Sequence, residues 1–289
     1  MRCEEETYTS SVGHSIFRRH FIPQRSGQDD VTGVAVFVHG LGDHSGRHTQ
    51  AIEKFVRKGI YCVAPDLPGH GHTEGTRGFI QSIETVHTII KENLEHVRTE
   101  IQPNAPVGLL GHSMGGFFAL HYLAEFPSCF NFSWISSPLI DASWRRSRLL
   151  QTAAQVLGVI YPKFTIHSNV PSSACSRDPQ RLLETQKDPL KHKKLTMRLG
   201  KMLLNETARL EGMIQNIDPE LRILVTHGSQ DAICPSALSQ ELFQQLPEEN
   251  ARYALFEGML HEPFNDIGSD AFFQELQLWL DELTVVSKK

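Results

Sequence analysis

The stretch VGLLGHSMGGFFALHYL, residues Val107–Leu123, decides the fold of this chain. Its first four residues are typical of a buried strand, and apolar residues continue after the glycine pair as the start of a helical face. Between the two lies a G-x-S-x-G sequence centred on Ser113, a pattern of sharp strand-to-helix turns that expose a nucleophilic serine. Side chains at Gly111 and Gly115 would collide with neighbouring elements in such a turn. We therefore predict that Ser113 is a nucleophile; the alternative is an inert serine in a tight turn.

Strands alternate with helices on both sides of this stretch. Apolar runs predict strands at 31–38, 60–64, 130–136, 221–226 and 252–256, after an opening hairpin at 7–22. Apolar residues at helical spacing predict helices at 46–58, 80–101, 235–246 and 270–283. Because strands that alternate with helices pair mostly in parallel, the predicted fold class is α/β, with a mostly parallel central sheet flanked by helices.

Residues 139–215 interrupt this alternation. Three helices are predicted there, at 143–160, 181–190 and 193–214, with no strand between them. An insertion at this point would lie over the carboxyl ends of the strands, where such sheets bind ligands. We therefore predict a core formed by 1–138 and 216–289 and an inserted helical cap formed by 139–215. The alternative is that these helices only extend the cover of the sheet.

Composition excludes several classes of protein. The net charge of −5 over 289 residues argues against general nucleic-acid binding. The five cysteines are scattered and odd in number, which favours a reducing compartment over a disulfide framework. The N-terminus lacks the basic and apolar regions of a signal peptide, and no apolar run approaches transmembrane length. The sequence thus predicts a soluble, cytoplasmic protein.

A nucleophilic serine needs a base within hydrogen-bond reach and a carboxylate that orients the base. In one known order along the chain, the serine is followed by the acid and then by the histidine, each in a loop after a strand. Asp231 follows the apolar strand LRILVT, and His261 follows the strand YALF. Asp218 is a poorer candidate because it precedes its strand. We predict a catalytic triad of Ser113, Asp231 and His261.

Other histidines near these motifs are predicted to be structural. His112 precedes the nucleophile on the turn, and His39 lies in a glycine turn where it would support the backbone. The spacing of His39, His44 and His48 fits no closed metal site. The prediction therefore includes no metal and no cofactor.

Two main-chain amides are predicted to stabilise the oxyanion of the tetrahedral intermediate. One belongs to Met114, which follows the nucleophile, and the other to the loop after the strand 31–38. Leu41 is the residue chosen in that loop, because the flanking glycines allow its backbone to come close to Ser113.

Five motifs carry a resemblance to a known family: HGLGDHSGR, DLPGHGHTEGTRG, GHSMGG, GSQDAIC and MLHE. Together they resemble the monoacylglycerol lipase and lysophospholipase branch of the α/β-hydrolases, over residues 34–279. The resemblance implies the α/β-hydrolase fold, a small lipid-ester substrate and the same triad and oxyanion donors. It also implies that Cys234 lines the substrate pocket. Pro68 departs from the family, which often has arginine in that loop.

These observations predict a serine hydrolase that cleaves monoacylglycerol to fatty acid and glycerol through an acyl-enzyme on Ser113. Alternatives within enzymes are a lysophospholipase or a general carboxylesterase on short acyl esters. A peptidase of the related aminopeptidase group would need acidic cap residues to hold a substrate amine, whereas this cap is basic. A hydrolase fold without activity, used as a binding protein, is disfavoured by the intact triad.

The predicted cap differs from the rest of the chain in charge. It contains 13 lysines and arginines against 6 aspartates and glutamates, with apolar residues interleaved. Basic and apolar residues together favour contact with an anionic lipid surface. Peripheral membrane contact through the cap is therefore one hypothesis, with Arg145, Arg146 and Lys191 among the contributing charges. The alternative is a solvated charged face whose apolar residues pack on the core or line the pocket.

Overall fold

The computed structural model describes residues 1–24, 31–143, 147–168 and 170–286. Within these ranges, the strands are β1 Arg2–Thr9, β2 Ser15–Ile22, β3 Gly33–Val38, β4 Ile60–Pro65, β5 Val107–His112, β6 Phe132–Ser136, β7 Thr165–His167, β8 Lys194–Thr196, β9 Arg222–Gly228 and β10 Ala251–Phe256. The α-helices are α1 Thr49–Arg57, α2 Ile83–His96, α3 Met114–Glu125, α4 Arg148–Ile160, α5 Pro179–Lys187, α6 Met197–Met213, α7 Ser236–Phe243 and α8 Ser269–Val286.

Eight strands form the central sheet in the order β1-β2-β4-β3-β5-β6-β9-β10. The opening hairpin pairs antiparallel, and β2 joins β4 antiparallel. All later pairs, from β4 to β10, are parallel. The predicted mostly parallel sheet is therefore confirmed, and it places the carboxyl ends of β3, β5, β6, β9 and β10 at one edge.

The core has two halves, one on each face of the sheet. In β3, Val34, Val36 and Val38 pack in one half with residues of α2 and α3, whereas Ala35 and Phe37 pack in the other with residues of α1 and α8. Every residue of this strand is buried. A strand with both faces covered needs apolar side chains at successive positions, which explains the continuous apolar run in the sequence.

Helix ends differ from the predicted ones by a few residues. The helix predicted at 80–101 is α2 followed by one π-helical turn, Val97–Ile101. The helix predicted at 46–58 begins as a 3₁₀ turn, Ser45–His48, and continues as α1. Gly59, which has a φ of 86°, follows α1. Glycine adopts this left-handed conformation without steric cost, so the chain can turn directly into β4.

Residues 139–215, between β6 and β9, contain helices α4, α5 and α6, in agreement with three predicted helices, but the prediction that this segment contains no strand is wrong. Strands β7 and β8 form a two-stranded antiparallel sheet in which Thr165 pairs with Thr196. Each strand has only three residues, too few to show the alternation that identifies a strand in a sequence. Residues 144–146, which include Arg145 and Arg146 and belong to the first turn of the helix predicted at 143–160, lie outside the described ranges.

In the part of the chain that the structure describes, no helix has the length and apolarity needed to cross a membrane.

Candidate active site

Ser113 occupies the turn between β5 and α3 with φ 56° and ψ −122°. This left-handed backbone is strained for a residue other than glycine. Three main-chain hydrogen bonds hold it: the Ser113 N–H donates to the Ser136 carbonyl at 2.9 Å, and the Ser113 carbonyl accepts from Phe117 and Leu139 at 3.0 and 3.1 Å. The sheet and the helix therefore fix the serine in a conformation that it would not adopt alone.

The glycines around Ser113 are required by close packing. A Cβ at Gly115 would overlap the carbonyl oxygens of Val38 and His39, and a Cβ at Gly111 would overlap the carbonyl of Gly115. Since these obstacles are main-chain atoms at the centre of the sheet, they cannot move aside cheaply. The collisions inferred from the sequence are therefore present in the structure.

The three residues of the predicted triad form one hydrogen-bonded chain. His261 Nε2 lies 2.9 Å from Ser113 Oγ, and His261 Nδ1 lies 2.6 Å from Asp231 Oδ2. Asp231 follows β9 and His261 follows β10, so parallel strands bring both loops to the edge where Ser113 lies. This geometry allows a proton to pass from the serine hydroxyl to the imidazole while the carboxylate orients the ring.

Burial and neighbouring charges shift the pKa values of His261 and Asp231 in opposite directions. Burial alone would lower the pKa of His261, but the neighbouring Asp231 carboxylate raises it above the ordinary value. Burial alone would raise the pKa of Asp231, but the charge of His261 and hydrogen bonds from His227 and His261 lower it. Asp231 is therefore ionised, and His261 is a stronger base than an isolated histidine.

The residues predicted as oxyanion donors lie beside the serine. Leu41 and Met114 both line the cavity that contains Ser113 and His261. Within the described ranges, neither main-chain N–H donates to another main-chain group. A Cβ at Gly40 would lie only 3.2 Å from the Ser113 Cβ, which shows how closely the Leu41 loop approaches the nucleophile. Both amides are thus available to a developing negative oxygen.

The cavity above Ser113 has a volume of about 200 Å³ and a mostly apolar lining. The inserted segment provides much of this lining, with Leu150 and Ala154 from α4 and Met197 and Leu203 from α6. Charged and polar residues also line the cavity, among them Asp43, Lys191 and Glu262. Such a cavity can hold an aliphatic chain while a polar group lies at the reacting end.

Comparison with known proteins identifies the family. The model of the family described as serine aminopeptidase, S33, matches residues 29–268. This chain belongs to that family.

Two curated relatives and one solved structure illustrate the similarity. The chain is 28% identical over 262 residues to the monoacylglycerol lipase of Mycolicibacterium smegmatis, covering 87% of this chain and 89% of the relative. It is 29% identical over 248 residues to an uncharacterized abhydrolase domain-containing protein of Dictyostelium discoideum, covering 85% of this chain but only 26% of that protein. The crystal structure of Paleococcus ferrophilus monoacylglycerol lipase matches with 30% identity and a TM-score of 0.81, over 92% of this chain and 98% of that chain. The S33-family chain is thus a monoglyceride lipase-like α/β-hydrolase and a serine ester hydrolase.

His227 is a part of this S33-family site that the sequence interpretation missed. Its Nε2 lies 3.0 Å from Asp231 Oδ2 and 2.7 Å from the Cys234 carbonyl, and its Nδ1 lies 2.7 Å from Ser239 Oγ. Two acceptors on the Nε2 side indicate that Nε2 carries the proton and donates to the carboxylate. The available signal was its position at the end of β9, four residues before Asp231.

We expect His227→Leu to lower kcat roughly 10- to 100-fold with little change in KM, because a buried hydrogen bond to a charged group is lost. His227→Gln, which can still present an N–H to Asp231, should restore a large part of kcat. Steady-state kinetics of the two variants would check this. Equal losses in both variants would show that His227 acts through packing instead of through its hydrogen bond.

Cys234 lies where the resemblance implies, in the lining of the cavity, and it is 3% exposed. Its N–H donates to Asp231 Oδ1 at 2.9 Å, so the residue also supports the acid loop. Burial, and then the charge of Asp231, raises the pKa of the thiol. The thiol is therefore protonated at neutral pH and a weak nucleophile.

The histidines predicted to be structural each have their own partner. His39 Nε2 accepts from the Leu67 N–H at 2.9 Å, whereas His44 and His48 face two different carboxylates. His112 lies behind the base, with its ring centroid 4.8 Å from that of His261 and its Nδ1 3.3 Å from Ser136 Oγ.

Among the described residues, one group has the spacing of a metal site: Glu6, His20 and His96, in the hairpin and α2. The Glu6 carboxylate there already accepts from the guanidinium of Arg18 at 2.7 Å. A cation at this place would compete with an arginine for the same oxygen, so these residues are better described as an ion-pair network.

Proposed function

We propose that this chain hydrolyses carboxylic esters of lipids, and specifically monoacylglycerol to fatty acid and glycerol, through an acyl-enzyme on Ser113. The observation that carries the proposal is the Ser113–His261–Asp231 hydrogen-bonded chain, which faces an apolar cavity. The similarity to monoacylglycerol lipases supports the choice of substrate.

Acylation begins when His261 Nε2 removes the proton of the Ser113 hydroxyl as Oγ attacks the ester carbonyl. Asp231 holds the ring and stabilises the imidazolium that forms. The carbonyl oxygen becomes negative and accepts hydrogen bonds from the N–H groups of Leu41 and Met114. The imidazolium then gives its proton to the alcohol oxygen, and glycerol leaves.

Deacylation repeats these steps with water. His261 removes a proton from a water molecule, which attacks the acyl carbon, and the same two amides stabilise the second oxyanion. Protonation of Ser113 Oγ releases the fatty acid. Each step uses groups of the chain itself and no cofactor.

In this proposal the inserted segment, 139–215, is a cap on the core formed by 1–138 and 216–289. Two observations support this division. Helices α4 and α6 provide apolar side chains to the cavity, whereas the reacting groups come from loops after core strands. The acyl chain would lie against the cap helices, and the ester carbonyl against Ser113.

An aminopeptidase activity is less consistent with the charges at the cavity. Such an enzyme needs an acidic group to hold the substrate ammonium. The acidic residues Asp43 and Glu262 line the cavity, but both already face Arg47, at 2.9 and 3.1 Å. Lys191 adds a second positive charge beside them. A substrate cation would therefore meet a site whose charges are already balanced.

A substrate panel tests the proposed function. Purified protein would be offered a long-chain monoacylglycerol, the lysophospholipid with the same acyl chain, a short p-nitrophenyl ester and an aminoacyl anilide. We expect the highest kcat/KM on the monoacylglycerol and no cleavage of the anilide. Preference for the lysophospholipid or for the short ester would reject the proposed substrate while leaving the ester chemistry intact.

We also propose that the cap contacts an anionic lipid surface through the end of α4 and the turn after it. Exposed apolar side chains are concentrated here: Val156, Val159, Ile160, Tyr161 and Phe164, with Leu149 exposed at the start of α4. Exposed cations lie nearby in the sequence or structure, among them Arg148, Lys163, Lys193 and Lys194. Apolar groups that enter the interface and cations that meet anionic headgroups are the two components of such binding.

One predicted contributor to this surface is not part of it. Lys191 lies in the same basic stretch as Lys193 and Lys194 and is among the charges that the sequence predicts for this surface. Its ammonium, however, lies between Asp43 and Glu262, and its side chain is only 19% exposed. The sequence could not separate these lysines, because the carboxylates that bury Lys191 come from loops far away along the chain.

We expect binding to vesicles of anionic lipid that weakens as salt rises, because salt screens the lysine and arginine charges. Replacing Val159 and Ile160 by serine, each 61% exposed, should weaken binding by about tenfold or more. Replacing Leu278, which is 55% exposed on α8, is the matched control and should have no effect. Equal weakening by both changes, or no binding of the native protein to anionic vesicles, would reject the proposed surface.

A further inference from the structure

A cluster of charged side chains joins the core to the inserted segment beside His261. Arg47 Nε lies 2.9 Å from Asp43 Oδ1, and Arg47 Nη2 lies 3.1 Å from Glu262 Oε2. Arg47 Nη1 also donates to Thr185 Oγ1 of α5 at 2.7 Å. All of these side chains are buried or nearly so. The arginine is thus the centre of the cluster and holds both carboxylates.

The Lys191 ammonium makes no hydrogen bond to either carboxylate of this cluster. Its Nζ lies 3.8 Å from Glu262 Oε1 and 4.0 Å from Asp43 Oδ1, distances that are too long for hydrogen bonds. Among the described residues, no other acceptor is hydrogen-bonded to this ammonium, and the residue lines the cavity. Burial alone would lower its pKa, but the charges of Asp43 and Glu262 raise it, so the group is charged.

Main-chain hydrogen bonds hold the backbone around Lys191. The His192 N–H donates to the Gly42 carbonyl at 3.0 Å, and the Lys191 N–H donates to the Asp188 carbonyl at 3.4 Å. The Glu262 N–H donates to the Cys175 carbonyl at 2.8 Å. These bonds fix the two stretches of backbone from which the ammonium and the Glu262 carboxylate face each other, one in residues 139–215 and one on the His261 loop.

We propose that Lys191 and Glu262 form a subsite for a hydroxyl group of the alcohol part of the substrate. A hydroxyl suits this pair because its oxygen accepts from the ammonium while its hydrogen donates to the carboxylate. A cationic head group would be repelled by Lys191, and an anionic one by the two carboxylates. The subsite thus selects esters of uncharged polyhydric alcohols over esters of simple alcohols, and this inference rests on the proposed function.

The position of the pair agrees with the alcohol side of the reaction. His261 gives its proton to the leaving alcohol, and Glu262 is the next residue on the same loop. The positive charge of Lys191 is also close enough to oppose protonation of His261. The apolar side chains of α4 and α6 provide the contrasting surface for the acyl chain.

The test compares two substrates with the same acyl chain: the monoacylglycerol, which has free hydroxyls, and the ethyl ester, which has none. In the native protein we expect kcat/KM to favour the glycerol ester. Lys191→Met should reduce the ratio of the two kcat/KM values by about tenfold or more, since a hydrogen bond to a charged donor is lost for one substrate only. Lys191→Gln, which retains an N–H donor, should keep more of the ratio than Lys191→Met. The ratio cancels any change in the basicity of His261, which affects both esters.

Lys187→Met is the matched control, because it removes the same charge from an exposed position in the same segment that does not line the cavity. Its ratio should equal that of the native protein. The inference would be wrong if Lys191→Met kept the native ratio of the two kcat/KM values, including the case in which both values fall in parallel. The proposed function would not be affected by that result. If the native protein cleaves only the ethyl ester, both the proposed subsite and the proposed monoacylglycerol substrate are wrong. Should Lys191→Met not fold, as judged by thermal unfolding, the comparison of Lys191→Gln with the native protein decides the question.

Discussion

Ser113→Ala is expected to lower kcat for ester hydrolysis by roughly 10⁴-fold or more, by analogy with other serine hydrolases that lose their nucleophile. The change removes only the hydroxyl that faces His261 Nε2 at 2.9 Å. Three main-chain hydrogen bonds hold the turn and do not involve the side chain, so the fold should remain. Release of p-nitrophenol measures the loss, and thermal unfolding checks the fold. A fluorophosphonate probe should label the native protein at Ser113 and leave the variant unlabelled.

Ser137→Ala is a matched control for this experiment. Ser137 is also buried, and its φ of 45° is also in the left-handed region. Among the described residues, its hydroxyl has no hydrogen-bond partner. Removing it should leave turnover near the native value and should not destabilise the protein, because no buried hydrogen bond is lost. Near-native turnover by Ser113→Ala, or a comparable loss in Ser137→Ala, would contradict the assignment of Ser113 as nucleophile.

Asp231→Asn is expected to reduce kcat by about 10⁴-fold, because the imidazole is left in the wrong tautomer. Asp231 Oδ1 accepts from the N–H groups of Ile233 and Cys234 at 2.8 and 2.9 Å. The asparagine carbonyl would take this position, while His227 Nε2 keeps the Cys234 carbonyl as its acceptor at 2.7 Å. The NH₂ group would then face His261 Nδ1. Nδ1 would then have to accept, and the proton would move to Nε2, where it prevents that nitrogen from accepting the proton of Ser113.

The pH profile gives a second measurement on the same variant. His261 acts as a base only when it is neutral, so kcat/KM falls as pH drops through its pKa. Because Asp231 raises this pKa, the acid limb of the native profile should lie above the ordinary histidine value of about 6.5. Removing the carboxylate charge should move the limb of the residual activity to lower pH. If the acid limb of Asp231→Asn lay at the native pH, a group other than His261 would determine the fall in kcat/KM.

Asp218→Asn tests which of the two aspartates considered from the sequence, Asp218 or Asp231, is the acid of the triad. Asp218 precedes β9, and its Oδ1 accepts only from the nearby Glu220 N–H at 2.9 Å among the hydrogen bonds of the described residues. This variant should therefore keep native kcat and the native pH profile. A large loss of activity in Asp218→Asn would show that the acid was assigned to the wrong residue.

Local patterns were sufficient to predict the elements of the core. The apolar run of β3, the helical spacing of α8 and the glycines around Ser113 each reflect constraints that act within a few residues. The parallel sheet follows from the alternation of these elements, because a crossover through a helix leaves little choice of direction. Asp231 and His261 could be selected from the sequence since parallel strands bring their carboxyl ends to one edge.

The remaining features depend on contacts that the local pattern of the sequence does not show. Strands β7 and β8 are too short to show a pattern and exist because they pair with each other. His227 became part of the site only when β9 and the Asp231 loop placed its Nε2 at 3.0 Å from the carboxylate.

The sequence by itself determined the order of strands and helices, the turn at Ser113 and the identity of the three residues that meet there. Only the tertiary structure decided the surroundings of each charge. Lys191 and Lys193 are two residues apart in one basic stretch, yet one ammonium lies between Asp43 and Glu262 while the other residue is exposed. The physical reason is that the periodicity of a chain reports which face of an element is apolar, whereas an ion pair or a hydrogen bond requires two atoms to approach within a few ångströms, and that approach is set by the packing of whole elements.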